Sequence, residues 1–171
     1  LHYLIDFARR IMRILLLLVN SFFMKKTILM SIMTKYSNKI FNGTKHWEFR
    51  KNLPKLDDDN LTIVVYSSKK DKAIVGEFTA GRILKCSFDE LMHITGNEND
   101  LKALEWFRNY YKDREECCAI EVINPKKYKN PIKLETIVLS NSSFKAPQNF
   151  IYINENDTID NLINMSKKGE S

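Results

Sequence analysis

The chain has 171 residues, 44% apolar and 28% charged, enough to fill one sizeable core and hardly two, so a single globular domain of ordinary soluble composition is expected. A formal charge of +6 and a pI near 9.1 favour anionic partners, although a basic surface spread over the whole molecule needs no partner at all. Three cysteines without a Cys-x-x-Cys pair and three scattered histidines argue against a disulfide framework, a zinc site and metal catalysis, and fit a reducing, cytoplasmic setting.

Residues 1–23 differ from the rest. Arg9, Arg10 and Arg13 precede the apolar run Ile14 to Val19, which polar Asn20 and Ser21 interrupt well short of the about 20 apolar residues that a membrane span needs. No small-x-small cleavage site follows, which counts against a signal peptide. Met24-Lys25-Lys26-Thr27 looks like a natural start, so 1–23 is read as an upstream extension of the reading frame, with an amphipathic anchor helix as the competing reading. Taking its three arginines and one aspartate away from the +6 leaves +4. No membrane contact is expected except through this segment.

The main domain is expected over residues 24–154. Ile28 to Met33 reads as a buried strand and Tyr36 to Asn42 as a short helix ended by Asn42-Gly43. Asn60 to Tyr66 and Ala73 to Leu84 are β-branched strands, with Gly76 and Gly81 marking bulges or bends in a curved sheet that can close into a barrel. Ser87 to Glu90 is a capping-box pattern opening a helix toward Thr95, and Asn99 to Tyr111 is a second helix whose Leu101, Leu104, Phe107 and Tyr111 form a core stripe. Cys117 to Ile123 is a strand closed by Asn124-Pro125. The adjacent Cys117 and Cys118 would then point to opposite faces, and the basic stretch Pro125 to Lys129 follows as a turn. Phe150 to Ile153 is the last strand. Residues 155–171 form a short helix, capped by Asp157 or Thr158, and a polar tail. Strand, helix, strands, two helices and strands again is not the alternation of a doubly wound sheet, so an α+β fold with a mixed barrel and helices packed outside it is expected.

The chemistry concentrates in Gly43-Thr44-Lys45-His46-Trp47-Glu48-Phe49-Arg50-Lys51. If the segment is extended, Glu48 and Arg50 share one face while Trp47 and Phe49 share the other. A carboxylate beside a guanidinium fixes the orientation of the fork and leaves outer N–H groups for phosphate oxygens or a base edge, and Lys45 adds a mobile cation. Glu48 can instead accept from an exocyclic base amine. On spacing alone a solvated salt-bridge patch accounts for these residues equally well. Trp47 offers a stacking platform or core packing, Ser67 and Ser68 a phosphate contact or a polar turn, and His46 has no evident partner that would make it a base.

The string Gly43-x-Lys45-x-x-Glu48-x-Arg50 resembles the signature of the ASCH domain, a branch of the PUA-like fold, in the group described as predicted transcriptional regulators. Other segments resemble the same family in the same order: Met30-Ser31-Ile32, Tyr66-Ser67-Ser68 with Ile74 to Phe78, Ala119 to Val122 with Asn124-Pro125-Lys126, and Ala146-Pro147-Gln148-Asn149-Phe150. Together they cover roughly Met24 to Tyr152. The resemblance implies a PUA-like mixed β-barrel flanked by helices, with a ligand cleft formed by Thr44, Lys45, Glu48, Arg50, Ser67, Lys145 and Gln148. It implies RNA, single-stranded nucleic acid or a nucleotide as the partner, and no cofactor or metal. The family also contains enzymes that remove an acyl group from a modified cytidine and others that act on RNA, so Lys45 and Glu48 would be the catalytic pair if the protein is an enzyme. In the deacylating branch the lysine works with a threonine three residues later and a distant glutamate. Here Glu48 stands in the threonine position, and Glu90 or Glu98 would have to supply the distant carboxylate. A lysine nucleophile or base requires the neutral amine, whereas a neighbouring carboxylate favours the ammonium form. Binding is therefore the leading expectation, with catalysis or capture of a protein segment as alternatives.

Overall fold

In the computed structural model, residues 5–7, 9–15, 26–53, 61–112 and 114–168 are described. The apolar run Ile14 to Val19 lies outside the described residues beyond Leu15, as do Met24, Lys25, Asn60 and the end of the polar tail. Chain order is helix α1 (residues 5–7 and 9–15), β1 (Thr27–Met33), α2 (Thr34–Phe41), β2 (Trp47–Arg50), β3 (Thr62–Ser68), β4 (Ala73–Cys86), α3 (Phe88–Ile94), α4 (Leu101–Tyr110), β5 (Cys117–Lys133), α5 (Leu134–Ser140), β6 (Phe150–Ile153) and α6 (Thr158–Lys168).

The strands form one six-stranded sheet in the order β2-β5-β4-β3-β1-β6. β1 runs parallel to β3, and the other neighbouring pairs are antiparallel. The near-continuous apolar runs of β1 and β3 follow from burial on both faces. Ile28, Met30, Ile32, Ile63 and Val65 point into the concave side with Ile40 of α2. Leu29, Val64 and Tyr66, one residue out of phase, point to the convex side, where Ile137 of α5 and Ile159 and Ile163 of α6 cover them. A third cluster joins Leu91 and Met92 of α3 and Phe107 of α4 to Cys117 and Ala119 of β5.

The sheet curls into a half-barrel, giving the mixed α+β architecture of PUA-like folds. Its curvature arises where the glycines stand. The β4–β5 register shifts between Ile74 and Gly76, between Glu77 and Thr79, and between Ala80 and Ile83 around Gly81, each shift adding local twist. A Cβ on Gly76 would lie 2.4 Å from the Lys126 carbonyl oxygen and 2.6 Å from the Phe41 ring, so α2 and β5 approach this strand only because it has no side chain there.

Three local expectations need correction. β5 does not stop at Asn124-Pro125; it runs on to Lys133, and Asn124 takes a positive φ of 49° as the pairing passes from Thr79↔Ile123 to Glu77↔Lys126. Proline donates no hydrogen bond but sits comfortably in a bulge, so Pro125 to Lys129 is strand and not a turn. Leu101 stands at the first residue of α4 and is 81% exposed, leaving Leu104, Phe107 and Tyr111 to carry the stripe. Helix α5 was not anticipated, because its β-branched Thr136, Ile137 and Val138 have no helical propensity signature. Elsewhere the local signals act as read. Ser87 accepts from the Glu90 backbone N–H at 3.4 Å to start α3, and Asn42 and Gly43, the latter at φ 78°, end α2.

Candidate functional site

The exit of α2 folds back tightly on itself. The backbone N–H groups of Thr44 and Lys45 both donate to the Lys39 carbonyl, at 2.9 and 3.0 Å, and Thr44 Oγ1 donates to Asn42 Oδ1 at 2.7 Å. That turn delivers Lys45 to the start of β2 with its side chain aimed back at the concave side. β2 then alternates as the sequence requires. Glu48 and Arg50 turn inward, while Trp47 and Phe49 pack against the α3–α4 cluster, Trp47 with the Arg82 guanidinium 5.0 Å from its ring centre and Phe49 also bordering the cavity that Glu48 and Arg50 line.

Glu48 is the centre of a short ionic chain. Its Oε2 accepts from Lys45 Nζ at 2.9 Å and its Oε1 from Arg50 Nη1 at 3.4 Å, with side-chain exposures of 6% for Glu48, 15% for Lys45 and 12% for Arg50. Lys45 Nζ also donates to the Trp47 carbonyl and lies 5.3 Å from the Phe49 ring centre. Arg50 reaches further: Nη1 donates to the Ser31 carbonyl at 3.0 Å, and Nη2 to the Asn149 carbonyl at 3.2 Å and to the Asn149 side chain. Because β2 and β6 are opposite edges of the sheet, Arg50 fastens one edge of the half-barrel to β1 and to the residue just before the other.

Above this chain opens a cavity of about 700 Å³, walled by Tyr36, Phe49, Trp106, Phe107 and Tyr110 and rimmed by Lys35 and Lys39. Its size suits a nucleoside-scale ligand, such pockets being about 300–1,000 Å³. Trp106 is 46% exposed and stacks on Tyr110 with ring centres 5.2 Å apart and planes 9° from parallel. Tyr110 Oη donates to the Phe49 carbonyl at 3.3 Å, and burial pushes its phenol up, with the Arg50 charge opposing.

The structure thus brings Thr44, Lys45, Glu48, Arg50 and Gln148 to one cavity. Ser67 is fully buried beneath it, donating to Asp71 Oδ2 at 2.6 Å and bonded to Thr34 and Ser37, so that Ser68 is the serine on the cavity wall. Lys145 is exposed and does not line the cavity, nor do His46, Glu90 or Glu98, the last of which pairs with His93 at the surface. Sequence reasoning missed Tyr36, Trp106, Tyr110 and Asn149. Trp106 and Tyr110 are an i, i+4 aromatic pair beside the stripe assigned to the core, and that spacing was the available signal. Among the described residues, no cluster of His, Cys, Asp or Glu is arranged to hold a metal ion.

The concave, aromatic-walled cleft, with an ionic chain at its base, lies in a curled mixed sheet of PUA-like architecture. The chain belongs to the family described as Domain of unknown function (DUF365), whose family model matches residues 25–144. No curated protein matches it. Among solved structures it is similar to the ASCH protein from Zymomonas mobilis, at 20% identity and a TM-score of 0.71 over 82% of this chain and 96% of that one. It is also similar to the N-terminal domain of Staphylothermus marinus McrB, at 12% identity and a TM-score of 0.52 over 85% of this chain and 94% of that one. Both likenesses are of fold.

Proposed function

We propose that the cleft binds a nucleobase presented by a single-stranded nucleic acid, RNA foremost, and that this binding serves regulation. The observation that carries the reading is the stack of Trp106 on Tyr110 at the mouth of an aromatic cavity whose rim is cationic and whose base holds the Lys45–Glu48–Arg50 chain. A base has two π-faces and an edge of donors and acceptors. The rings receive the faces, Glu48 and Gln148 address the edge, and Lys35 and Lys39 meet phosphates. Arg50 has already committed both Nη groups to protein acceptors, so it holds Glu48 in place while Lys45 supplies the nearer positive charge.

The same geometry counts against Lys45 as a nucleophile. Its nitrogen is held between the Glu48 carboxylate and the Trp47 carbonyl, contacts that it would have to give up in order to attack a ligand.

Fluorescence of the two tryptophans reports binding directly. Titration with oligouridylate and oligothymidylate should quench Trp106, and affinity should fall as salt rises. Trp106→Ala should weaken binding about five- to 150-fold, since one lost base stack costs about 1–3 kcal/mol. Salt-insensitive binding, or none to either oligomer, refutes the proposal.

A further inference from the structure

Helix α1 takes no part in the cleft, and its composition points elsewhere. At about 3.6 residues per turn, Asp6, Arg9, Arg10 and Arg13 recur at i, i+3, i+4 and i+7 and fall in one sector. Phe7, Ile11, Ile14 and Leu15 recur at i, i+4, i+7 and i+8 in the opposite sector, flanked by Ile5 and Met12. A helix folding onto its own domain would bury that apolar sector. Instead Ile5, Phe7, Ile11, Met12, Ile14 and Leu15 are all exposed, Phe7 at 63% and Met12 at 72%.

We infer that α1 is a binding element for an anionic lipid surface, lying in the plane of the interface with its apolar sector among the acyl chains and Arg9, Arg10 and Arg13 among the headgroups. Two features select this occupant. The polar sector carries three arginines against one aspartate, which complements phosphate-bearing headgroups. The apolar sector is broad and aliphatic with one aromatic ring, which suits fluid acyl chains, while a polynucleotide would leave it exposed to water. Asn20 and Ser21 interrupt the apolar run well short of the about 20 residues that a span needs, so the element is assigned to the surface of a bilayer.

The experiment sediments the full chain with vesicles of phosphatidylcholine alone and of phosphatidylcholine mixed with phosphatidylglycerol. Binding is expected to the mixed vesicles only, and to decline with salt. The double variant R9Q/R13Q should lower partitioning about thirtyfold, the effect of two cations removed from near an anionic surface. I11D/I14D should abolish it at unchanged net positive charge on the arginine sector. Both variants should keep the urea midpoint of the parent chain, because the substituted positions are exposed. Equal binding to both vesicle types, no binding, or binding that survives I11D/I14D overturns the inference. So does self-association of the parent chain that I11D/I14D abolishes in the absence of vesicle binding, which would make a second copy the occupant.

Discussion

Replacing Arg50 by alanine removes a guanidinium that ties three segments together, and the expected cost can be built from its contacts. Two charge-assisted hydrogen bonds to the backbone carbonyls of Ser31 and Asn149, at 3.0 and 3.2 Å, are lost, each worth about 1.5 kcal/mol or somewhat more. Glu48, with a side chain only 6% exposed, keeps Lys45 but loses Arg50. Removing one partner of a buried ionic cluster costs about 3–5 kcal/mol as a whole. The 3.4 Å separation from Glu48 is long for a hydrogen bond, and Arg50 retains some solvent access, so the lower half of that range applies, about 3–4 kcal/mol. Arg50→Lys keeps the charge but cannot reach Ser31 and Asn149 together, and should cost about half as much. Urea unfolding followed by far-ultraviolet circular dichroism measures both. A loss below about 1 kcal/mol for Arg50→Ala would show that the edges of the half-barrel hold without this residue.

Gly76→Ala should destabilise by about 2–3 kcal/mol, because the new Cβ would lie 2.4 Å from the Lys126 carbonyl oxygen, which is backbone and has little room to move; calorimetry showing an unchanged melting temperature contradicts this. Phe107→Ala should cost about 3–5 kcal/mol and Leu101→Ala under about 0.5, since the former is 8% exposed and the latter 81%. Burial pushes the thiols of Cys117 and Cys118 and the phenol of Tyr111 up from their ordinary values of 9.0 and 10.0. A group raised in the folded state contributes fully below its unfolded value and loses its contribution as pH rises. The urea midpoint should therefore hold up to about pH 8 and fall above about pH 9, and a midpoint that climbs through that range refutes the assignment.

The elements readable in the sequence are those with local causes. Gly76 and Gly81 announced curvature because a strand interior rarely carries glycine without a bulge, and the Ser87 cap and the Asn42-Gly43 stop need only a few neighbouring residues to act. The inward set of Glu48 and Arg50 followed from alternation alone. What the sequence concealed depends on distant partners. Pro125 reads as a strand end unless β4 supplies a bulge to hold it, and α5 forms because Ile137 is needed to cover Tyr66 and Ile132 on the convex face, not because its residues favour a helix. In the cleft, the ionic chain lay within six residues of sequence and was visible, whereas Trp106 and Tyr110 join it from α4 and could be placed only once the sheet had curled. The division of labour inside the motif was likewise hidden: Arg50 looks like a free cation until Ser31 and Asn149 are seen to occupy it.

The Arg50 contact with Asn149 spans 99 positions, and that separation bears on how the protein comes into being on the ribosome. Translation delivers Arg50 at a point 99 residues before Asn149. Until the latter emerges, the guanidinium lacks half of its backbone acceptors and the two edges of the sheet have nothing to draw them together, while the long loop between them must still be closed. The ionic chain at the base of the cleft is thus completed only once Asn149 has emerged, so a shorter nascent chain carries Lys45, Glu48 and Arg50 without the contacts that fix them.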